Sequence, residues 1–288
     1  MATSSVPPLG KLGAHVSAAG GIPNAIDRIR AIGGDCLQIF ISSPRGWQKT
    51  TITDEQVAAF RAGVAEHDLT PVYIHALYLA NIATSQAELR AKSIDALAHA
   101  LTTADRIGAA GVIYHTGSKK DQDLSRAMAN VVSALREILE RSPGTSQLII
   151  EGSAGQQGAV GSPFAELGQM HREVGSDRVK VCLDTCHMFQ AGYDVRTTEA
   201  IDRTLAEFDR EVGLAQLVVM HANDAKAELG RGLDRHENIG HGAIGKAGFQ
   251  ALLHHPSLRS LPWILEVPGF EGLGPDAENL EILRKLGA

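Results

Sequence analysis

Seven residues able to bind a metal or move a proton stand at or near the ends of short β-branched runs: His15, His75, His115, Glu151, Asp184, His221 and Glu266. A lone His or Asp in such a place is ordinarily structural. Seven in equivalent places ask for a common cause. Imidazole nitrogen combined with carboxylate oxygen suits a borderline divalent ion such as Zn2+ or Mn2+. Two segments add further candidates. VCLDTCHMFQAGYD (181–194) puts His187 three residues past Asp184, and HANDAKAELGRGLDRHENIGHGAIG (221–245) contains Asp234-x-His236. Asp-x-His alone reads equally well as a solvated turn, but beside so many donors it reads as additional ligand. His15 is taken as a residue behind the ligands or facing substrate. Nine donors then remain: His75, His115, Glu151, Asp184, His187, His221, Asp234, His236 and Glu266. A mononuclear site uses three or four protein ligands, so nine call for two or three ions with carboxylates bridging between them.

To converge, these residues need a scaffold that carries many strand ends to one place. Strand-like runs fall at 12–17, 36–41, 72–76, 111–116, 147–152, 179–185, 217–222 and 262–267, with helix-like stretches between them. Continuous apolar cores such as Leu148-Ile149-Ile150 and Leu217-Val218-Val219-Met220 suit parallel strands covered on both faces. The spacing predicts α/β architecture: a single (β/α)8 TIM barrel over 11–288, with its active site at the C-terminal rim of the strands, and a loose tail over 1–10. An open doubly wound sheet is the alternative, weakened because no Gly-rich phosphate fingerprint follows the first strand. Only the second strand lacks a polar candidate at its end. Thr53-x-x-Gln56 and Ser85-x-x-Glu88 read as capping boxes, and Ser162-Pro163 as a cap and first helical position.

Composition narrows the classes. With 44% hydrophobic and 21% charged residues the chain can bury a core, which excludes a disordered protein. No apolar run reaches the roughly 18–20 residues of a membrane-spanning helix. Three Cys are no disulfide framework and point to a reducing, cytoplasmic setting. A formal charge of −6, from 27 basic and 33 acidic residues, excludes a binder that relies on overall positive field. Five of the 12 His belong to the donor set; His67, His99, His171, His254 and His255 fall on helices or their ends and read as structural. Cys182 and Cys186 flank Asp184 and read as packing.

The segments GAHVSAAGG (13–21), VCLDTCHMFQAGYD (181–194), LDRHENIG (233–240) and ILEVPGFEG (264–272) resemble bacterial endonuclease IV, the zinc-dependent apurinic/apyrimidinic endonuclease family. The resemblance spans nearly the whole chain. It implies a (β/α)8 barrel with three zinc ions that incises duplex DNA at abasic sites, with Mn2+ tolerated at some positions. By resemblance, His75, His115 and Glu151 would hold a first ion. Glu151 would bridge to a second, completed by Asp184, His221 and Glu266, and His187, Asp234 and His236 would hold the third. Arg45 in SSPRGW (42–47) and Tyr78-Leu79 in HALYLAN (75–81) occupy the positions that enter DNA at the lesion. Two positions depart from the family pattern: Gly152, where Asn is usual, and His241, where an acidic residue is usual.

The chemistry expected is hydrolysis of the phosphodiester 5′ to the abasic site, leaving a 3′ hydroxyl and a 5′ deoxyribose phosphate, with Glu151 as the catalytic centrepiece. Clustered ions assist by lowering the pKa of a water and neutralising charge on phosphate oxygens. The expected partner is abasic duplex DNA, acted on by a monomer without a membrane or an obligatory protein partner. A sugar isomerase or epimerase on the same barrel is one alternative, though it has no use for the extra Asp-x-His. A non-catalytic, zinc-stabilised DNA-binding protein is the other.

Overall fold

The computed structural model describes residues 7–288. Eight parallel strands close on themselves: β1 (Leu12–His15), β2 (Cys36–Ile39), β3 (Val72–His75), β4 (Gly111–Tyr114), β5 (Gln147–Glu151), β6 (Val179–Asp184), β7 (Leu217–Ala222) and β10 (Trp263–Leu265). Strand order around the barrel follows chain order, as successive βα units dictate when each crossover returns beside the last strand. Two short strands, β8 (Asp224–Ala225) and β9 (His236–Glu237), form an antiparallel pair outside the barrel. Most of the strands expected from sequence run one or two residues too far at the C-terminal end, because there the chain leaves the ladder to aim side chains across the mouth.

Helices cover the outside: α1 (Asn24–Ala31), α2 (Asp54–Glu66), α3 (Ala87–Ile107), α4 (Leu124–Arg141), α5 (Phe164–Val174), α7 (Thr198–Glu211), α8 (Gly245–His254) and α9 (Ala277–Gly287), while the short α6 (Thr185–Gln190) is buried at the C-terminal end of β6. Their inner faces, such as Leu97 and Leu101 of α3 and Leu135 of α4, bury against outward-facing strand residues such as Leu37, Ile74 and Leu148. Thr53 and Gln56 form the capping box read from sequence. The other two expected helix starts fall elsewhere. Gln86 precedes α3 without a side-chain cap, and α5 begins after Pro163 while Ser162 Oγ pairs with Ser153 Oγ at 2.7 Å. Among the described residues no helix is long and apolar enough to cross a membrane.

Of the tail expected over 1–10, residues 1–6 lie outside the described residues. Residues 7–10 are held against the barrel: Arg259 Nε donates to Pro7 O at 2.8 Å, Gly10 N donates to Arg259 O at 2.7 Å, and Leu9 packs on the core. The expected looseness stops short of them because Leu9 buries apolar surface and both backbone groups find partners.

Inside the barrel, Cys36, Tyr73, Ile113, Ile149, Cys182, Val219 and Ile264 form one apolar layer. The remaining strand, β1, contributes Gly13 to this level, where a Cβ would stand 2.0 Å from Cys36 O, so only glycine fits. Between β6 and β7 the register skips Val218, a bulge that sets Cys182 opposite Val219 and Asp184 opposite His221.

Candidate metal centre

Strand side chains alternate in and out with period two, so whatever stands two residues past the apolar layer also points into the barrel, one level nearer the C-terminal mouth. Those positions are His15, Gln38, His75, His115, Glu151, Asp184, His221 and Glu266. The polar ring therefore includes all eight strands. The second strand, read from sequence as lacking a polar residue, contributes Gln38, which is fully buried. An amide amid CLQIF offers no titratable or strongly ligating group and passes for a strand residue; only its register two past Cys36 signals it.

The nine donors come together in overlapping groups whose ligand atoms lie within 4.8 Å of one another. His75, His115 and Glu151 form one; Glu151, Asp184, His221 and Glu266 a second; His187, Asp234 and His236 a third. Glu151 belongs to the first two. Asp184 also groups with Cys186 and His236, which ties it to the third and brings Cys186 nearer the centre than a packing role required. His15 stays outside the groups, its Nδ1 3.3 Å from Glu266 Oε1.

Local structure explains the Asp-x-x-His spacing. Asp184 is the N-cap of α6, and its Oδ1 accepts from His187 N at 2.9 Å. One helical turn then carries the His187 ring back over the mouth, where Nδ1 donates to Gly152 O at 3.0 Å. Asp184 Oδ2 is held by Asn223 Nδ2 at 2.6 Å. Asn223 Oδ1 accepts from Glu266 N at 2.8 Å, joining the ends of β6, β7 and β10. Asn223 was not among the residues singled out by sequence, for the same reason as Gln38.

The Asp234-x-His236 segment is delivered by a knot around Asp224. The buried Asp224 carboxylate accepts from the backbone N–H of Ala225, Gly240, Gly242 and Ile244 at 2.8–3.0 Å. The β8–β9 pair then sets His236 opposite Ala225. His236 Nδ1 donates to Glu266 O at 3.2 Å.

Four carboxylates are gathered here, and among the described residues all their charged partners are histidines and no Lys or Arg pairs with them. Burial pushes Glu151 up, yet His115, His221 and the His187 hydrogen bond outweigh it and hold the carboxyl well below its usual range. Glu266 behaves alike, with burial overcome by His221 and His15. Burial depresses His236, but Asp184 and Asp234 bring it up to about 9. His115 goes the other way, lowered by burial.

The donor set fits divalent metal. Nε2 of His187 lies 3.2 Å from Asp234 Oδ1 and Nε2 of His236 lies 3.3 Å from the same oxygen, yet both nitrogens are buried without an aligned hydrogen-bond partner. Rings and carboxylate aim toward shared space rather than at one another. Buried unpaired polar atoms are rare because they cost free energy, and an ion accepting both lone pairs would remove the cost.

The centre opens into a cavity of ≈ 340 Å³ lined by His75, Tyr78, His115, His187, Asp234, Arg235, His236, Glu266 and Pro268. Tyr78, 55% exposed, stands on its edge, and Leu79, 38% exposed, lines an adjoining cavity that shares Tyr78, His115, His187 and Asp234 with it. Tyr78 is anchored edge-on against Phe40 and His75, and its N–H donates to Pro44 O at 2.9 Å, tying the loops after β2 and β3 together. Arg45 is exposed on the first of these loops. Of the two departures from the family pattern, Gly152 is not forced by space, since a Cβ there would approach nothing closer than 3.6 Å. His241 lies edge-on to Phe270, with ring centroids 5.2 Å apart, and joins no donor group.

The family described as xylose isomerase-like TIM barrel matches residues 26–286. The chain is 36% identical over 276 residues to a probable endonuclease 4 of Halothermothrix orenii, covering 96% of this chain and 99% of the relative. It is 38% identical over 280 residues to a probable endonuclease 4 of Methanosphaerula palustris, covering 96% and 98%. Among solved structures it is similar to endonuclease IV from Thermus thermophilus, with a TM-score of 0.85 at 34% identity over 96% of this chain and 98% of that one.

Proposed function

The chain belongs to the endonuclease IV family, and from that premise we propose that it is a zinc-dependent endonuclease cutting duplex DNA at abasic sites. The observation carrying this reading is that the nine donors fall into three of the groups described above, two of them sharing Glu151, in and beneath the floor of one open cavity. A sugar isomerase or epimerase needs one or two ions and leaves His187, Asp234 and His236 without a task.

In this reading His75, His115 and Glu151 hold one ion, Glu151, Asp184, His221 and Glu266 a second, and His187, Asp234 and His236 a third. Bound zinc supplies Lewis acidity, lowering the pKa of water and neutralising charge on the phosphodiester. The chain's part is to keep nine lone pairs turned inward and the cavity open to one backbone phosphate. Water attacks phosphorus, the bond to the 3′ oxygen breaks, and the products are a 3′ hydroxyl and a 5′ deoxyribose phosphate. Glu151, common to two groups, is the catalytic residue. An abasic site has little stacking to lose and bends cheaply. Tyr78 and Leu79 enter the gap, and Arg45 grips phosphate or fills the stack.

Metal analysis combined with a nicking assay on a duplex carrying one defined abasic site tests this. Three zinc ions per chain and lesion-specific nicking that a chelator abolishes are expected. Sugar turnover without nicking would sink the proposal in favour of an isomerase, and DNA binding without turnover in favour of a non-catalytic binder.

A further inference from the structure

The five imidazoles of the centre do not face it in the same way. His75, His187 and His236 each donate from Nδ1 to a main-chain carbonyl, of Ala76 at 2.7 Å, Gly152 at 3.0 Å and Glu266 at 3.2 Å. A carbonyl only accepts, so in these rings Nε2 is the nitrogen left for the donor groups. His115 also turns Nε2 inward, 3.4 Å from Glu151 Oε2. His221 is reversed. Its Nδ1 lies 3.0 Å from Glu151 Oε1 and 3.3 Å from Glu266 Oε2. Its Nε2 meets a side chain, Gln38 Oε1, at 2.9 Å.

The orientation of that amide is settled by its other contacts. Gln38 Nε2 lies 2.5 Å from Glu266 Oε1 and 2.8 Å from His15 Nδ1. Only the NH2 end can face a carboxylate, so Oε1 must be the atom toward His221. Oε1 then takes the hydrogen of His221 Nε2, and Nδ1 keeps its lone pair for the centre. Gln38 is fully buried, opposite His15 in the β1–β2 register, at the level of the polar ring.

We propose that Gln38 is a positioning residue of the metal centre: a buried amide clamp that fixes which nitrogen His221 turns to the Glu151–Asp184–His221–Glu266 group and holds Glu266 beside it. The proposal rests on the metal-binding reading above. For three of the other rings the partner is main chain, set by the fold itself. At His221 it is a side chain that one substitution removes. Partners of this kind orient a ligating histidine, and their loss typically costs 10- to 100-fold in metal affinity.

The test compares wild type, Gln38→Met and Gln38→Glu by titration with chelator-buffered Zn2+ alone and by long-range 1H–15N correlation of the histidines in the zinc-loaded proteins. Wild type is expected to show His221 as the ligand with its hydrogen on Nε2. Gln38→Met is expected to release one ion roughly 10- to 100-fold more readily and to lose that His221 pattern, with the remaining ions retained. Gln38→Glu still offers His221 an oxygen, so the pattern persists, but it sets a second carboxylate against Glu266 and weakens the same site. A wild-type titration and spectrum in Gln38→Met overturn the clamp; should Gln38→Met not fold, an unchanged midpoint in Gln38→Glu does so. Wild-type protein that retains no zinc overturns instead the metal reading on which the clamp depends.

Discussion

At the residue scale, Glu151 illustrates how identity and surroundings divide the work. Its carboxylate is one of two that belong to more than one donor group, and four histidines surround it at 3.0–3.4 Å. Glu151→Gln keeps the shape but removes the charge and one strong ligand oxygen. Nicking of an abasic duplex is expected to fall by more than the roughly 100-fold upper range for loss of an outer partner. Near-normal nicking with the ions still bound would refute the assignment of Glu151. The nine donors were legible because His, Asp and Glu at strand ends carry an evident chemistry. Gln38 and Asn223 were not, since their role lies in whom they touch: His221, Glu266 and His15 for one, Asp184 and Glu266 for the other.

At the element scale, short local structures turn strand ends into a site. The cap at Asp184 explains why His187 follows it by three residues. The Asp224 knot explains how a long excursion after β7 can return Asp234 and His236 to the rim. The loops after β2 and β3 are joined through Tyr78 N–H and Pro44 O, so Tyr78 and Leu79 sit on a supported edge rather than a free strand of loop. Replacing both Tyr78 and Leu79 by alanine is expected to weaken binding to abasic duplex by about 1–3 kcal/mol, the scale of a lost base–aromatic stack, with zinc content unchanged. A gel-shift or anisotropy titration measures this, and unchanged affinity would remove the wedge from the mechanism. These loops were only partly readable, because a residue's exposure at a rim depends on the neighbouring loop, not on its own segment.

For the whole molecule, the proposed ions would bear on both the charge balance and the stability. Four of the 33 acidic residues are in the donor set, and three divalent ions would offset the formal −6. The side facing DNA would then be far more positive than the sequence total suggests. Ions that bind only the folded chain stabilise it by mass action, by about 2.7 kcal/mol per site at a hundredfold excess over Kd. Chelator-stripped protein is therefore expected to melt several degrees below the zinc-loaded form by calorimetry, and readdition of Zn2+ should restore the transition. Equal melting temperatures with and without zinc would contradict a centre linking this many strands.

The sequence by itself determined the alternation of strands and helices, the barrel that follows from it, and which residue types could ligate. Periodicity and side-chain chemistry are local properties, readable residue by residue. Tertiary structure alone decided that the polar ring is complete at β2, that Val218 is bulged so that His221 meets Asp184, and that residues 7–10 are tied down. It also decided which nitrogen each imidazole presents. Those outcomes are set by hydrogen bonds between residues far apart in the chain, 183 positions for Gln38 and His221 and 252 for Pro7 and Arg259, and a partner that distant exists only once the barrel has closed.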